Sequence, residues 1–257
     1  MTALRYVEDL FSALGVPAPL DFARGERCVR AARRMPLTHG LKCGAQRTAF
    51  LAANEAALLS RKQRNVAPSP AQRFAGTTDA VCFWVGPLRI PEREAALVFS
   101  ADIELHGTTA TPWDSGGLRG HAAQHMDETQ RKRLIQLRSM PSPDYRSQAL
   151  AASIFIRHGT PDRYLRADII CDVDPDKVSN PRDPSTFTYE ARVLRRVRVR
   201  TKSLLYVAAR RDAVDPGLHE LRTWCREEHV DFALVGDRDP HRTVVDAILG
   251  YFMSIGL

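Results

Sequence analysis

The sequence predicts an α+β fold, and three observations carry the prediction. Helical periodicities gather towards the two ends of the chain, at 3–14, 26–34 and 46–63 and again at 217–230 and 243–253. Short strand-like runs fill most of the space between them. Strands and helices do not alternate regularly, so no βαβ series is evident and a doubly wound parallel sheet is disfavoured. The chain has 257 residues and no internal repeat or long linker, which points to a single domain over 1–257.

Taken in order, Leu4, Val7, Leu10, Phe11 and Leu14 recur at helical spacing, and Gly15, Pro17 and Pro19 stop that helix. A basic helix follows from Glu26 to Arg34. Met35 to Leu41 holds proline and glycine, and reads as a short strand ending at His39-Gly40. Residues 46–63 are rich in alanine and leucine and predict a helix. Residues 65–78 read as loop. Ala80–Val85 and Ala95–Ser100 are apolar runs of strand length, with Pro87 and Pro91 marking the turn between them. Residues 101–150 keep no period apart from a basic helix at 128–137, and they contain a Pro/Gly turn around Trp113. The pattern at 150–157 favours a helix, and that at 167–173 a strand. Ser203–Ala208 reads as a strand, Gly217–Val230 as a helix, Phe232–Val235 as a strand and Thr243–Met253 as a closing helix.

Composition narrows the function classes. Apolar residues make up 44% and charged residues 26%, as in a water-soluble globular chain. No apolar run is long enough to span a membrane. The N-terminal stretch carries acidic residues and reads as an amphipathic helix, not a signal peptide. Five scattered cysteines (Cys28, Cys43, Cys82, Cys171, Cys225) form no C-x-x-C pair, so neither a disulfide framework nor a zinc–thiolate site is expected. A cytoplasmic location follows as the expectation. The formal net charge of +7 favours polyanionic partners, with nucleic acid foremost.

Several chemistries lose support at the level of motifs. There is no G-x-x-x-x-G-K-[ST] phosphate loop, no G-x-G-x-x-G and no G-x-S-x-G elbow. His121 and His125 stand four apart, as on one helical face, but no third ligand is fixed by spacing. Asp172 and Asp174 alternate as paired Mg²⁺ ligands would, yet Pro175 and Lys177 give them the look of an acidic turn. Cys82 sits inside an apolar run and reads as a core thiol. No metal site is expected.

The most informative stretch is Ser185–Arg200. Alternation places Phe187, Tyr189, Ala191 and Val193 on one face and Thr188, Glu190 and Arg192 on the other. A break near Leu194-Arg195 suggests a bulge or a tight turn between two paired strands. Beyond it Val197 and Val199 point inward, and Arg196, Arg198 and Arg200 point outward. That arginine stripe suits a phosphate backbone. Glu190 is the candidate catalytic carboxylate, and the competing reading is a solvated strand residue paired with Arg192.

Three patches in order, Leu37-Thr38-His39-Gly40 with the following segment to Arg61, then Ala80–Val85 with Ala95–Ser100, then Phe187-Thr188-Tyr189-Glu190, resemble the ADP-ribosyltransferase fold. The resemblance is greatest to its nucleic-acid-modifying members from toxin–antitoxin and phage-defence systems, and it covers roughly residues 35–210. It implies a split mixed or antiparallel sheet core with peripheral helices. Residues 1–34 then add N-terminal helices and 211–257 a helix-strand-helix extension. It also implies NAD as substrate, Glu190 as the catalytic carboxylate, and His39 on the nicotinamide-side ribose. An arginine from Arg61, Arg64 or Arg73 would grip the pyrophosphate. Arg196, Arg198, Arg200 and Trp113 would meet a nucleic-acid acceptor, and a neutralising antitoxin protein would be a partner. Two other classes stay open. One is a non-enzymatic nucleic-acid-binding module using the basic strand. The other is a metal-dependent nuclease or hydrolase using Asp172, Asp174, His121 and His125.

Overall fold

The computed structural model describes residues 31–41, 57–68, 78–87, 93–103, 109–111, 160–166, 189–211, 216–236 and 243–256. The arrangement is α+β. A seven-stranded sheet runs β5-β6-β3-β1-β4-β8-β9, and β2 and β7 form a separate pair. The strands are β1 (Leu37–Leu41), β2 (Ala57–Leu59), β3 (Ala80–Val85), β4 (Ala95–Phe99), β5 (Thr109–Thr111), β6 (Tyr189–Leu194), β7 (Arg196–Arg198), β8 (Leu204–Arg210) and β9 (Asp231–Val235). The helices are α1 (Pro161–Leu165), α2 (Pro216–Glu227) and α3 (Val244–Ser254). Within the large sheet every pairing is antiparallel except β8–β9.

β4 lies near the middle of the sheet and is buried along its whole length, so its run Ala95-Ala96-Leu97-Val98-Phe99 needs no polar side. Phe83 and Phe99 meet edge to face on one side of the sheet, with ring centroids 5.7 Å apart. On the other side α3 covers β4 and β8, burying Val244, Ala247, Ile248 and Phe252. Tyr251 of α3 stacks on Tyr206 of β8 at 4.5 Å. Thr243 starts α3 with a capping box, bonding the backbone of Asp246, whose carboxylate bonds back.

Several sequence expectations change. Residues 57–63 are not helical. Ala57–Leu59 pair with Arg196–Arg198, and Leu58 is buried opposite Val197, so cross-strand pairing and burial override the helix propensity of alanine and leucine. Residues 61–65 form a turn. β1 runs on to Leu41 because β4 pairs with all five of its residues, so His39 is mid-strand rather than at a strand end. The break at Arg195 joins two strands that do not pair with each other. Arg195 takes a positive φ of 66°, and the chain leaves the large sheet there to pair with β2. A βαβ unit is present after all in β8-α2-β9, whose strands are parallel. α1 and β5 carry too few residues to show a period. The expected helix at 26–34 is seen over 31–34. The expected elements at 3–14, 128–137, 150–157 and 167–173 lie outside the described residues, as does the turn around Trp113. Among the described residues no helix is long and apolar enough to cross a membrane.

One end of the β1–β3 pair is tied down tightly. The Thr38 hydroxyl donates to the Gly86 carbonyl at 2.7 Å, and the Gly86 N–H donates to Pro36 at 2.9 Å. The Tyr164 hydroxyl of α1 donates to the Val85 carbonyl. Gly86 has φ +93°, and a Cβ added there would lie 3.0 Å from the Tyr164 ring. Gly86→Ala is therefore expected to destabilise the fold by about 2–4 kcal/mol through backbone strain and overpacking. Urea denaturation measures this, and a loss no larger than that of a surface substitution would contradict it.

Candidate functional site

The large sheet splits between β1 and β3. Leu37 pairs with Val85 and Thr38 with Trp84, and the pairing then ends. β1 continues alongside β4, while β3 continues alongside β6 from Tyr189 to Leu194. The gap that opens between them is bridged by a side chain. His39 Nδ1 lies 2.8 Å from the Cys82 carbonyl, and its ring leans on Phe83 at 5.4 Å. A carbonyl only accepts, so Nδ1 carries the proton. Burial, with the nearby charges of Arg93 and Arg64, lowers the His39 pKa from 6.5 to about 4, against the opposing effect of the Cys82 bond. At neutral pH the ring is uncharged and Nε2 is a bare acceptor.

A cavity of about 190 Å³ occupies this gap. His39, Cys82 and Trp84 form part of its wall. Leu58 and Leu59 of β2 close another side, and Arg61, Arg64 and Arg93 supply three cations. No carboxylate is among the described lining residues. The Arg93 guanidinium lies 5.6 Å from the centroid of the Trp84 ring. Burial, with the charge of Arg61 added, pushes Arg64 below the usual arginine value. A cluster of guanidinium groups around a neutral acceptor suits an anionic group carried next to a hydroxyl or amide donor.

β2 is positioned by a local network. Ser60, which follows it, is buried and donates to the Asp79 carboxylate at 2.8 Å. The Ser60 N–H bonds Arg195, and the Arg195 N–H bonds Asp79, both at 2.8 Å. Three backbone segments thus meet at the Arg195 bend, which sets where Arg61 and Arg64 begin.

Glu190 stands opposite Trp84 on β3 and opposite Thr111 on β5. Opposed residues share a face, with Cβ atoms about 5 Å apart. The carboxylate is thus one strand away from the cavity wall without lining it. Arg192 follows on the same face, opposite Cys82. Neither residue is solvated. Glu190 is 5% exposed and Arg192 2%, and Arg192 Nε lies 3.7 Å from Glu190 Oε1. This corrects the surface-pair reading, because both faces of β6 are covered. Nε, Nη1 and Nη2 of Arg192 all lack a hydrogen-bond acceptor.

The structure brings together His39, Arg61 and Arg64 at the cavity. Glu190 is not among its described lining residues, and by register it projects from the opposite face of the sheet to His39. Arg73 and Trp113 lie outside the described residues, as do His121, His125, Asp172 and Asp174. Arg196 and Arg198 project outward from β7, as the alternation predicts, and border a different depression with Thr201 and Ser203. Arg200 faces Glu220 of α2 at 3.5 Å. Sequence reasoning missed Arg93. Its one signal was its place two residues ahead of a fully buried strand. Among the described residues no three His, Cys, Asp or Glu side chains gather as a metal site would need. No protein-family model matches the chain, and no curated protein is significantly similar to it.

Two outcomes follow. Because folding lowers the His39 pKa, its contribution to stability is complete above pH 6.5 and is lost as pH falls towards about 4, a swing of about 3 kcal/mol. His39→Gln should flatten the stability profile across that window, and an unchanged slope in urea titrations would contradict this. Removing one partner of the buried pair, as in Arg192→Met or Glu190→Gln, should cost about 3–5 kcal/mol by stranding the other, and the double variant should recover most of the loss. Additive losses in the double-mutant cycle would show that the pair is not coupled.

Proposed function

We propose that this chain is an NAD-dependent ADP-ribosyltransferase-like enzyme that modifies nucleic acid, with Glu190 as its catalytic carboxylate. The observation that carries the reading is the split between β1 and β3. It opens a cavity walled by a neutral His39 and the Arg61–Arg64–Arg93 cluster, and the buried Glu190 stands one strand away, in register with Trp84 of the wall. A split sheet with these residue types is what the resemblance of residues 35–210 implies.

The residues present fit part of a dinucleotide. At about 190 Å³ the cavity is smaller than most whole-ligand pockets, so it would seat one portion and leave the rest outside. The pyrophosphate suits the arginines. The bare His39 Nε2 suits a ribose hydroxyl as donor, and Trp84 offers an aromatic surface. Cleavage of the nicotinamide–ribose bond develops positive charge on the sugar, and a carboxylate beside it stabilises that charge and takes a proton from the acceptor. Glu190, in register with Trp84 of the wall, is the carboxylate proposed for this role. The outward Arg196 and Arg198 on β7 would guide a polyanionic acceptor. A neutralising partner protein would be expected if the activity is toxic to its host.

NAD should raise the apparent melting temperature in proportion to its concentration, and wild type should release nicotinamide. Glu190→Gln should keep the NAD-dependent shift and lose about 10²–10⁴-fold in nicotinamide release. No thermal shift, together with no nicotinamide release in the presence of DNA or RNA, would overturn the reading.

A further inference from the structure

We propose that the depression between α2 and β9 is a second nucleic-acid contact, fitted to a single strand, with Arg222 and Arg226 on the phosphates and Phe232 against a base. It lies outside the residues that the resemblance covers, and it depends neither on NAD nor on Glu190.

The local sequence builds this surface. Leu218, Leu221 and Cys225 are buried and seat α2 on the core. At 3.6 residues per turn, His219, Arg222, Thr223 and Arg226 then fall within about 100° of one another on one flank of the helix. The helix stops sharply. His229 takes a left-handed φ of 57°, and the Val230 N–H donates back to the Cys225 carbonyl at 2.8 Å. β9 begins at the next residue and is held in parallel register along β8. Helix flank and strand therefore stand at a fixed separation. The space between them is a depression of about 450 Å³, which the flank residues line together with Val230, Asp231 and Phe232.

Its charges are available. Arg222 and Arg226 are exposed, and among the described residues neither has an ion-pair partner. One helical turn separates them, about 5–6 Å between Cβ atoms, so both can reach the same backbone. Glu220 of α2 is taken up by Arg200 at 3.5 Å. Asp231 is the one acidic residue among the described lining. By register it shares the face of Tyr206, and burial together with the Asp231 charge raises the pKa of Tyr251, whose ring stacks on Tyr206. Phe232 alternates to the opposite face and is only half-buried. Cations that track a backbone beside an accessible aromatic ring are the means by which proteins hold single strands, since every base offers a face for stacking. A duplex keeps those faces covered, and an acidic peptide would engage the arginines alone.

The test titrates the full chain into a fluorescein-labelled oligothymidylate of about twelve nucleotides, read by anisotropy across a salt series. The double variant Arg222→Gln/Arg226→Gln should weaken binding and reduce the slope of log affinity against log salt by about 1.4 in magnitude. Phe232→Leu should weaken binding about 5- to 150-fold at an unchanged slope. Arg163→Gln/Arg166→Gln removes the same charge from exposed positions at α1 and should keep the wild-type slope. Losses in the α2 variant no greater than in the α1 variant would overturn the proposal, as would wild type that binds no strand at low salt. A duplex of equal length bound as tightly, or polyglutamate competing as well as unlabelled oligothymidylate at equal charge, would overturn it too. Circular dichroism checks the fold of each variant. Should Phe232→Leu not fold, the arginine variant and the duplex comparison decide. The assay contains no NAD, so failure of the catalytic reading and failure of this one are separate results.

Discussion

The His39–Cys82 bond is the interaction on which the site depends. A sheet that parts between two central strands leaves backbone groups facing a gap, and unpaired buried polar groups are costly. The imidazole Nδ1–H supplies a donor to one of those carbonyls at 2.8 Å. It thereby holds β3 at a side chain's distance from β1 and keeps the gap open. An apolar residue in its place would remove the donor that His39 gives to the Cys82 carbonyl, and a full ladder would close the gap. The same bond fixes the tautomer, so the other ring nitrogen is the one left to accept. Structure and recognition chemistry are set by one proton.

Around this gap the sheet is divided by chemistry as well as geometry. Where α3 packs, the faces of β4 and β8 carry apolar residues and Tyr206. Where β1, β3 and β6 continue the same face, the side chains become Thr38, Cys82, Trp84, Glu190 and Arg192. The Arg195 bend then turns the chain out of the sheet, so the buried arginine on β6 gives way to exposed Arg196 and Arg198 on β7. One continuous stretch thus supplies a buried acid, its counter-ion and a solvent-facing basic edge. A left-handed residue at 195 makes that change of face possible within a few positions.

Much of this was legible where one face of a strand is buried. The alternation in 189–199 gave the right faces, and β3, β4, β8 and β9 lie where apolar runs predicted them. What escaped reading was set by pairing at long range. Ala57-Leu58-Leu59 has helix-forming composition and becomes a strand because Arg196–Arg198 come to meet it from far along the chain. Glu190 and Arg192 looked solvated because polar side chains in alternation normally face water. Their burial depends on cover from elsewhere in the chain, which alternation does not record. Arg93 joined the site because β4 pairs with β1, again a fact of register rather than of local pattern. The ADP-ribosyltransferase reading of these residues remains a proposal built on their placement.

The distribution of charge gives that proposal its direction. Arg61, Arg64 and Arg93 line the cavity with no carboxylate among the described lining residues, while the buried Glu190 on β6 has Arg192 at ion-pair distance. If Glu190 faced the arginine cluster unaccompanied, the cluster would be its counter-charge. An arriving anion would then have to displace it. With Arg192 at ion-pair distance on its own strand, Glu190 has a counter-charge apart from the arginines that line the cavity. Trp84 stands between the two sets, with Arg93 above its ring and Glu190 opposite it in register. Anion binding and carboxylate chemistry can therefore operate side by side without neutralising each other. That is the electrostatic requirement of any reaction in which a polyphosphate substrate must develop positive charge beside a carboxylate.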